Sequence, residues 1–175
     1  MHPALRIAQL LRLLGRVEGR KKFQKLVHIL KELDYPFTET FEFSYYGMYS
    51  QQLRSELDSL AADSLIVERR SINQFGCPFF EFESTPKLSA FLEELDVEVD
   101  PDWARAAKKL NSLQAQILEG VSTILFLRRR GLEGHQLKQR VLSLKPHLAE
   151  YYEQCERQAN EILDCGKRMA PSVAD

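Results

Sequence analysis

The spacing of apolar residues near the N-terminus constrains this chain more than any other feature of its sequence. Apolar side chains recur every three or four positions over residues 4–14 and again over residues 20–33, which predicts two amphipathic helices. On the second helix, Lys21, Lys25 and His28 fall on the face opposite the apolar stripe. The prediction is therefore a helix with one buried face and one basic face.

The segments that follow add the β-structure. Residues 41–46 alternate polar and aromatic side chains and predict a short strand, while Ser50 is a suitable N-cap for a third helix that ends near residue 63. Residues 65–70 and 78–84 predict a hairpin. Helix, helix, strand, helix and hairpin is close to the order of a winged helix-turn-helix, in which the helix before the hairpin is the recognition helix.

Beyond residue 85 the pattern is helical. Apolar positions over residues 103–127 alternate in steps of three and four, with Gly120 as an interruption, which is typical of a coiled coil. The predicted fold class is mainly α with a small β-hairpin: a winged-helix-like domain over residues 1–95 and a helical, coiled-coil-like appendage over residues 96–175. The appendage is expected to contain further helices after residue 131.

The apolar stripe over residues 103–127 allows two interpretations. It predicts a homodimer that forms through these residues. It is equally compatible with packing inside the chain, against the helices at residues 4–14 and 146–165.

Composition excludes several classes of protein. The chain has 175 residues, of which 44% are hydrophobic and 28% charged, so it is neither disordered nor of low complexity. No apolar run approaches the length of about 18 residues that a membrane span needs. Three cysteines without metal-ligand spacing and an N-terminus without the pattern of a signal peptide predict a reduced, cytoplasmic protein.

A net charge of −1 hides a basic N-terminal segment, in which residues 1–31 hold eight Lys and Arg against one Glu. Arg20, Lys21 and Lys22 occupy the first turn of the second helix, where the helix dipole disfavours each cation by about 0.3–1 kcal/mol, and Lys25 lies one turn further on. This cluster predicts contact with an anion, most simply nucleic-acid phosphates. The alternative is a solvated face, or pairing with the acidic block that follows.

The third helix and the hairpin supply candidate nucleic-acid contacts. Outward residues of the helix include the side-chain types that read base edges, at Gln51, Gln52, Arg54 and Ser55, together with Asp58. The hairpin offers Arg69, Arg70, Asn73 and Gln74 for contacts with the DNA backbone.

Motifs of catalysis are absent from the sequence. It contains no glycine-rich phosphate loop, no HExxH and no GxSxG, and its four histidines are scattered. We therefore expect no catalytic residues, no cofactor and no metal, and a protein that is not an enzyme.

Two segments resemble a known family. Residues 19–27, Gly-Arg-Lys-Lys-Phe-Gln-Lys-Leu-Val, and residues 46–50, Tyr-Gly-Met-Tyr-Ser, look like the YwgA-like family of prokaryotic proteins. The likeness extends over residues 5–70 and includes Leu30, Leu53, Leu60, Leu65 and Ile66. Met48 stands where the family usually has Pro. A more distant resemblance is to the Panacea domain of antitoxins, which shares a Lys-Leu-Gln-Lys-type helix and a Tyr/His-Gly-Pro segment.

The resemblance implies a winged-helix-like domain and carries over no catalytic residue. The Panacea likeness implies protein partners. The leading functional hypothesis from the sequence is a regulator of transcription that binds double-stranded DNA, with phosphates held by the second helix and bases read by the third. The alternative is a protein-interaction module, adaptor or antitoxin-like, that does not bind nucleic acid.

Overall fold

The computed structural model describes residues 3–45, 47–72, 76–96 and 101–167. The elements in chain order are α1 (Pro3–Leu14), β1 (Arg16–Val17), α2 (Gly19–Glu32), β2 (Glu42–Ser44), β3 (Gly47–Tyr49), α3 (Gln51–Ala62), β4 (Ile66–Ile72), β5 (Pro78–Ser84), α4 (Pro86–Glu94), α5 (Pro101–Asn111), α6 (Ala115–Arg129), α7 (Gly134–Leu144), a 3₁₀ helix (Pro146–Tyr151) and α8 (Tyr152–Lys167). The described residues are mainly helical with small antiparallel sheets, which confirms the prediction of a mainly α fold with a small β-hairpin.

The N-terminal elements include a three-stranded antiparallel sheet. β4 and β5 form the predicted hairpin, and β1 pairs with the other edge of β5, so the strand order is β1-β5-β4. Val17 on β1 lies opposite Phe82, which is fully buried. The sequence does not predict β1, because two residues are too few to show a period.

A second hairpin lies between α2 and α3. The strand predicted over residues 41–46 is β2, and Gly47–Tyr49 forms a partner strand that the sequence does not predict. Phe43 on β2 pairs with Met48 on β3. The hairpin ends at Ser50, whose side chain accepts the amide of Leu53 and caps α3 as predicted.

α2 is the central helix of the molecule. It packs against β5 on one side and against α5 and α6 on another, and every residue from Lys22 to Leu30 is buried. The predicted division into an apolar face and an open basic face is therefore wrong for Lys25 and His28, which are 5% and 1% exposed. Periodicity shows which face prefers the core, but helices later in the chain cover the other face.

Residues 103–127 form two helices, not the single coiled-coil helix that the sequence predicts. α5 ends at Asn111 and α6 begins at Ala115. α6 packs on α2 and α8, and α5 packs on α1, so the apolar residues of this segment are buried within the chain. This is the intramolecular packing that the sequence also allowed, and the homodimer through residues 103–127 stays a prediction.

The hydrophobic core continues across the predicted boundary between residues 95 and 96. Phe37 meets Trp103 edge to face with their ring centroids 6.0 Å apart, and both belong to the same buried cluster as Leu92 and Leu125. The N-terminal and C-terminal segments thus share one core. In the described parts of the chain, no helix has the length and apolar character needed to cross a membrane.

Candidate functional site

The two segments that carry the family resemblance meet in the structure. The Gln24 amide on α2 bonds Ser50 at both ends: its Nε2 donates to the Ser50 carbonyl at 2.9 Å, and its Oε1 accepts the Ser50 amide at 2.8 Å. Beside it, Lys25 Nζ donates to the Met48 carbonyl at 2.8 Å. These contacts join the middle of α2 to the start of α3. Hydrogen bonds to the backbone therefore account for the burial of the polar side chains of Gln24 and Lys25.

Gly47 allows this close approach. Its φ of +87° favours glycine, and a Cβ at this position would lie 3.2 Å from Lys25 Cε. A side chain here would therefore strain the backbone and press on the buried lysine.

Within the predicted basic cluster, Arg20 makes its contacts on a different side of α2 from the lysines. Arg20 turns toward α3 and the hairpin, where it pairs with Asp58 at 2.6 Å and Glu68 at 3.0 Å. Lys22 is buried, and its Nζ donates to the Asn111 carbonyl at 2.7 Å. Lys21 stays exposed.

Arg20 therefore does not share an open face with Lys22 and Lys25, and phosphate binding by this cluster stays a prediction. Arg20 already has two carboxylate partners, and the ammonium groups of Lys22 and Lys25 are bonded to backbone carbonyls of the same chain. The sequence also allowed these cations to pair with acidic residues later in the chain, and Arg20 makes such pairs.

The exposed face of α3 carries the predicted base-reading residues. Gln51, Gln52, Arg54 and Ser55 are all exposed, as predicted. Their side chains make local contacts: Gln51 accepts from Tyr49, Gln52 donates to Glu56, Arg54 lies 3.9 Å from Asp58 and Ser55 donates to the Gln51 carbonyl. The face has one arginine and is balanced by carboxylates.

We call the β4–β5 hairpin the wing. Arg69 pairs with Glu83 at 3.1 Å, and Arg70 is exposed. The wing also exposes large apolar side chains, most of all Ile72 at 72% and Phe80 at 53%, and to a lesser extent Val67 at 38%. The predicted turn contacts Asn73 and Gln74 lie outside the described residues.

The buried histidine and the buried cysteine are poorly suited to act as a base or a nucleophile. His28 Nδ1 lies 2.9 Å from Ser122 Oγ, and burial, with nearby Lys25, lowers its pKa to about 3. Burial raises the pKa of Cys155 to about 11. Over the described ranges, no three His, Cys, Asp or Glu side chains are placed to hold a metal ion.

Two carboxylates, those of Glu39 and Glu56, are close neighbours in the structure. Glu39 is fully buried, and neither of its carboxylate oxygens, nor Oε2 of Glu56 on α3, has a hydrogen-bond partner among the described residues. Burial and the adjacent Glu39 carboxylate raise the pKa of Glu56 to about 7. No periodicity in the sequence marks Glu39, because it lies in the segment between α2 and β2 that has no regular structure.

This pair predicts a stability that depends on pH. The folded-state pKa of Glu56 lies above its unfolded value, so the folded protein binds more protons between about pH 4.5 and 7, and its stability falls as pH rises through that range. Because Glu56 is only half-buried, solvent screening reduces the effect, and we expect Glu56→Gln to stabilise the protein by about 1 kcal/mol at pH 8 and by much less at pH 4. Urea unfolding at both pH values measures this.

The exposed Glu94→Gln is the matched control and should change stability equally at the two pH values. An equal effect of Glu56→Gln at pH 4 and pH 8 would show that the carboxylate pair is not responsible.

Comparison with known proteins agrees with the resemblance in the sequence. The chain is 34% identical over 131 residues to the Bacillus subtilis (strain 168) protein called "Uncharacterized protein YwgA", and the alignment covers 75% of this chain and 76% of that protein. No protein-family model matches the sequence. The likeness to the Panacea domain stays a prediction. At this identity and coverage, the chain belongs to the YwgA family.

Proposed function

We propose that this protein is a protein-interaction module, in which the wing and the exposed face of α3 bind a partner protein. The observation that carries the proposal is the pair of exposed apolar side chains on the wing. Arg70 lies opposite Phe80, and Ile72 opposite Pro78, so Phe80 and Ile72 are diagonal neighbours on one face of the hairpin. Exposed apolar groups placed side by side are typical of protein-binding surfaces.

The electrostatics of this surface support a protein partner over DNA. Arg20, Arg54 and Arg69 each have a carboxylate within 4 Å, at Asp58, Glu68 or Glu83. A phosphate would have to compete with these carboxylates, and the nearby acidic side chains would repel the DNA backbone. A protein surface with charges of both signs matches this pattern better.

The edge of the wing offers a partner a strand to pair with. β4 is an edge strand in the order β1-β5-β4, and residues 67–70 along it are exposed. An extended segment of the partner would add to this edge through backbone hydrogen bonds, while its apolar side chains cover Phe80 and Ile72.

Affinity capture from a nuclease-treated extract of the source organism tests the proposal. We expect a stoichiometric companion with the wild type, and at least tenfold less of it with the Phe80→Ser/Ile72→Ser variant, a loss of about 1.4 kcal/mol or more. Phe91→Ser, at an exposed position of α4, is the matched control and should retain the companion. A companion that the wing variant retains would contradict the proposal.

DNA binding is the second candidate, and the winged-helix strand order favours it, together with the exposed Gln51, Gln52 and Arg54. A fluorescence-anisotropy titration with random duplex at two ionic strengths separates the candidates. Because the arginines are paired, we expect binding weaker than about 10⁻⁴ M at physiological salt, the weak limit of ordinary non-specific binding. Tighter, salt-dependent binding that Arg54→Glu abolishes would favour the DNA candidate.

A further inference from the structure

A cavity of about 380 Å³ opens beside the start of α2. Its walls come from α2, from the first turn of α6 and from the segment that joins α7 to the 3₁₀ helix. Its basic lining residues are Lys21, Lys22, Lys25, Lys145 and His147. No residue of α3 or of the wing contributes to this lining, so the cavity is distinct from the surface described above.

The two deepest cations are held by the fold at defined positions. Lys25 and Lys145 are 5% and 4% exposed. Lys145 Nζ donates to the Tyr45 carbonyl at 2.7 Å, as Lys25 Nζ does to Met48 at 2.8 Å. Their ammonium groups converge beneath Gly47, where a Cβ would lie 3.5 Å from Lys25 Nζ and 3.9 Å from Lys145 Nζ.

These cations exceed the negative charge in the lining. Glu119 is the carboxylate among the lining residues, and it pairs with Lys145 at 2.8 Å and with His147 at 3.1 Å. Lys25 has no carboxylate within salt-bridge distance in the described part of the chain. Burial lowers the pKa of Lys25 to about 8, against the opposing effect of the Glu119 carboxylate and with further lowering by the positive charges of Lys145 and Lys21. An anion in the cavity would offset this unfavourable charge.

The start of α6 adds uncharged donors to the same wall. Ala115 and Gln116 are the first residues of α6 and line the cavity, and no side chain caps this helix. The amides of a first turn have no acceptor within the helix, and the helix dipole favours a negative charge there. Amides and lysines together are the groups that hold phosphate in proteins.

We propose that this cavity binds a small organic phosphate of the nucleotide class. Its phosphates lie against Lys21, Lys25 and the first turn of α6. Its volume falls in the range of about 300–1,000 Å³ that is typical of small-molecule sites, which is more than a single inorganic phosphate needs. Tyr45 lines the cavity and is 88% exposed, and an aromatic ring is a surface on which a base can stack.

Isothermal titration calorimetry with ATP, AMP, pyrophosphate, adenosine and citrate tests the proposal on the full chain. We expect ATP and pyrophosphate to bind below about 1 mM, adenosine not to bind, and citrate to bind at least tenfold more weakly than ATP. Absence of saturation with every phosphate, or equal binding of adenosine, would overturn the assignment. Citrate that binds as tightly as ATP would also overturn it.

Variants place the ligand in this cavity. Lys25→Met and Lys21→Met should each weaken ATP binding tenfold or more, while Lys108→Met, at an exposed position of α5, should change it less than twofold. Lys21 is exposed, so its variant keeps the test valid if Lys25→Met unfolds. Unchanged binding by a folded Lys21→Met variant would overturn the proposal.

Proton uptake gives an independent readout. A phosphate beside Lys25 raises the pKa of its ammonium group, so binding at pH 8.5 should take up protons, measured from the heat in buffers of different ionisation enthalpy. The uptake should disappear in a folded Lys25→Met variant. Binding without proton uptake would place the ligand elsewhere.

Discussion

Replacement of Gln24 by leucine is expected to lower the free energy of unfolding by about 2–4 kcal/mol, among the largest effects of any single change in this chain. Gln24 is buried, and its amide joins α2 to Ser50 by two hydrogen bonds. Leucine has a similar size but neither donates nor accepts. The amide of Ser50 would then be buried without a partner, and an unsatisfied buried group costs about 1–3 kcal/mol.

Urea unfolding measures this loss, and Gln136→Leu is the matched control. Gln136 lies exposed on α7, so its replacement should change stability by no more than about 0.5 kcal/mol. Gln24→Glu provides a finer test, because a carboxylate keeps the acceptor for the Ser50 amide but loses the donor. We expect it to be destabilising as well. A Gln24→Leu protein as stable as the control would show that the two hydrogen bonds between Gln24 and Ser50 do not hold α2 to α3.

The second large effect is expected where α6 crosses α8. A Cβ on Gly120 would lie 2.3 Å from Cys155 Sγ and 2.8 Å from Cys155 Cβ, closer than van der Waals contact allows. Gly120→Ala should therefore destabilise the protein by about 2 kcal/mol, even though alanine improves intrinsic helix stability by about 1 kcal/mol. The cost arises because the two helices must move apart.

A double-mutant cycle with Cys155→Gly isolates this contact. Removing the Cys155 side chain makes room for a methyl group at residue 120, so Gly120→Ala should cost at least about 1–2 kcal/mol less in the Cys155→Gly background. Urea unfolding of the wild type and the three variants measures the coupling. Equal costs in the two backgrounds would show that the approach of α6 and α8 does not depend on this glycine.

The same glycine shows what a helical pattern can and cannot reveal. In the sequence, Gly120 is an interruption in a coiled-coil spacing, and this spacing favours a second chain as the partner. In the structure it is a point where α8 packs closely on α6. The pattern correctly indicated buried apolar residues, but it carries no information about which helix covers them.

The basic cluster shows the same limit for charged residues. Three cations in the first turn of α2 are disfavoured by the helix dipole, Lys25 follows one turn later, and the sequence indicates that something compensates for these charges. For Arg20 it is Asp58 and Glu68, and for Lys22 and Lys25 it includes backbone carbonyls of Asn111 and Met48. These partners are between 23 and 89 positions away in the chain, so local spacing cannot identify them.

For the same reason, the sequence predicts only some of the residues of the candidate phosphate site. The lysines of α2 form a run, which indicates a basic site. Lys145, by contrast, is a single lysine between helices, and Glu119 lies within an apolar helix. They meet Lys25 only because α6 and the 3₁₀ helix pack beside α2.

Local order was determined by the sequence alone. The extents of α1 to α3, the cap at Ser50, the wing and the membership of a family follow from periodicity, turn residues and motifs, since these depend on neighbours within a few positions. Tertiary structure decided the burial of α2, the division between α5 and α6, the meeting of Glu39 with Glu56 and the cavity beside Lys25. Each of these depends on which distant side chains occupy the same space, and packing rather than local propensity determines that.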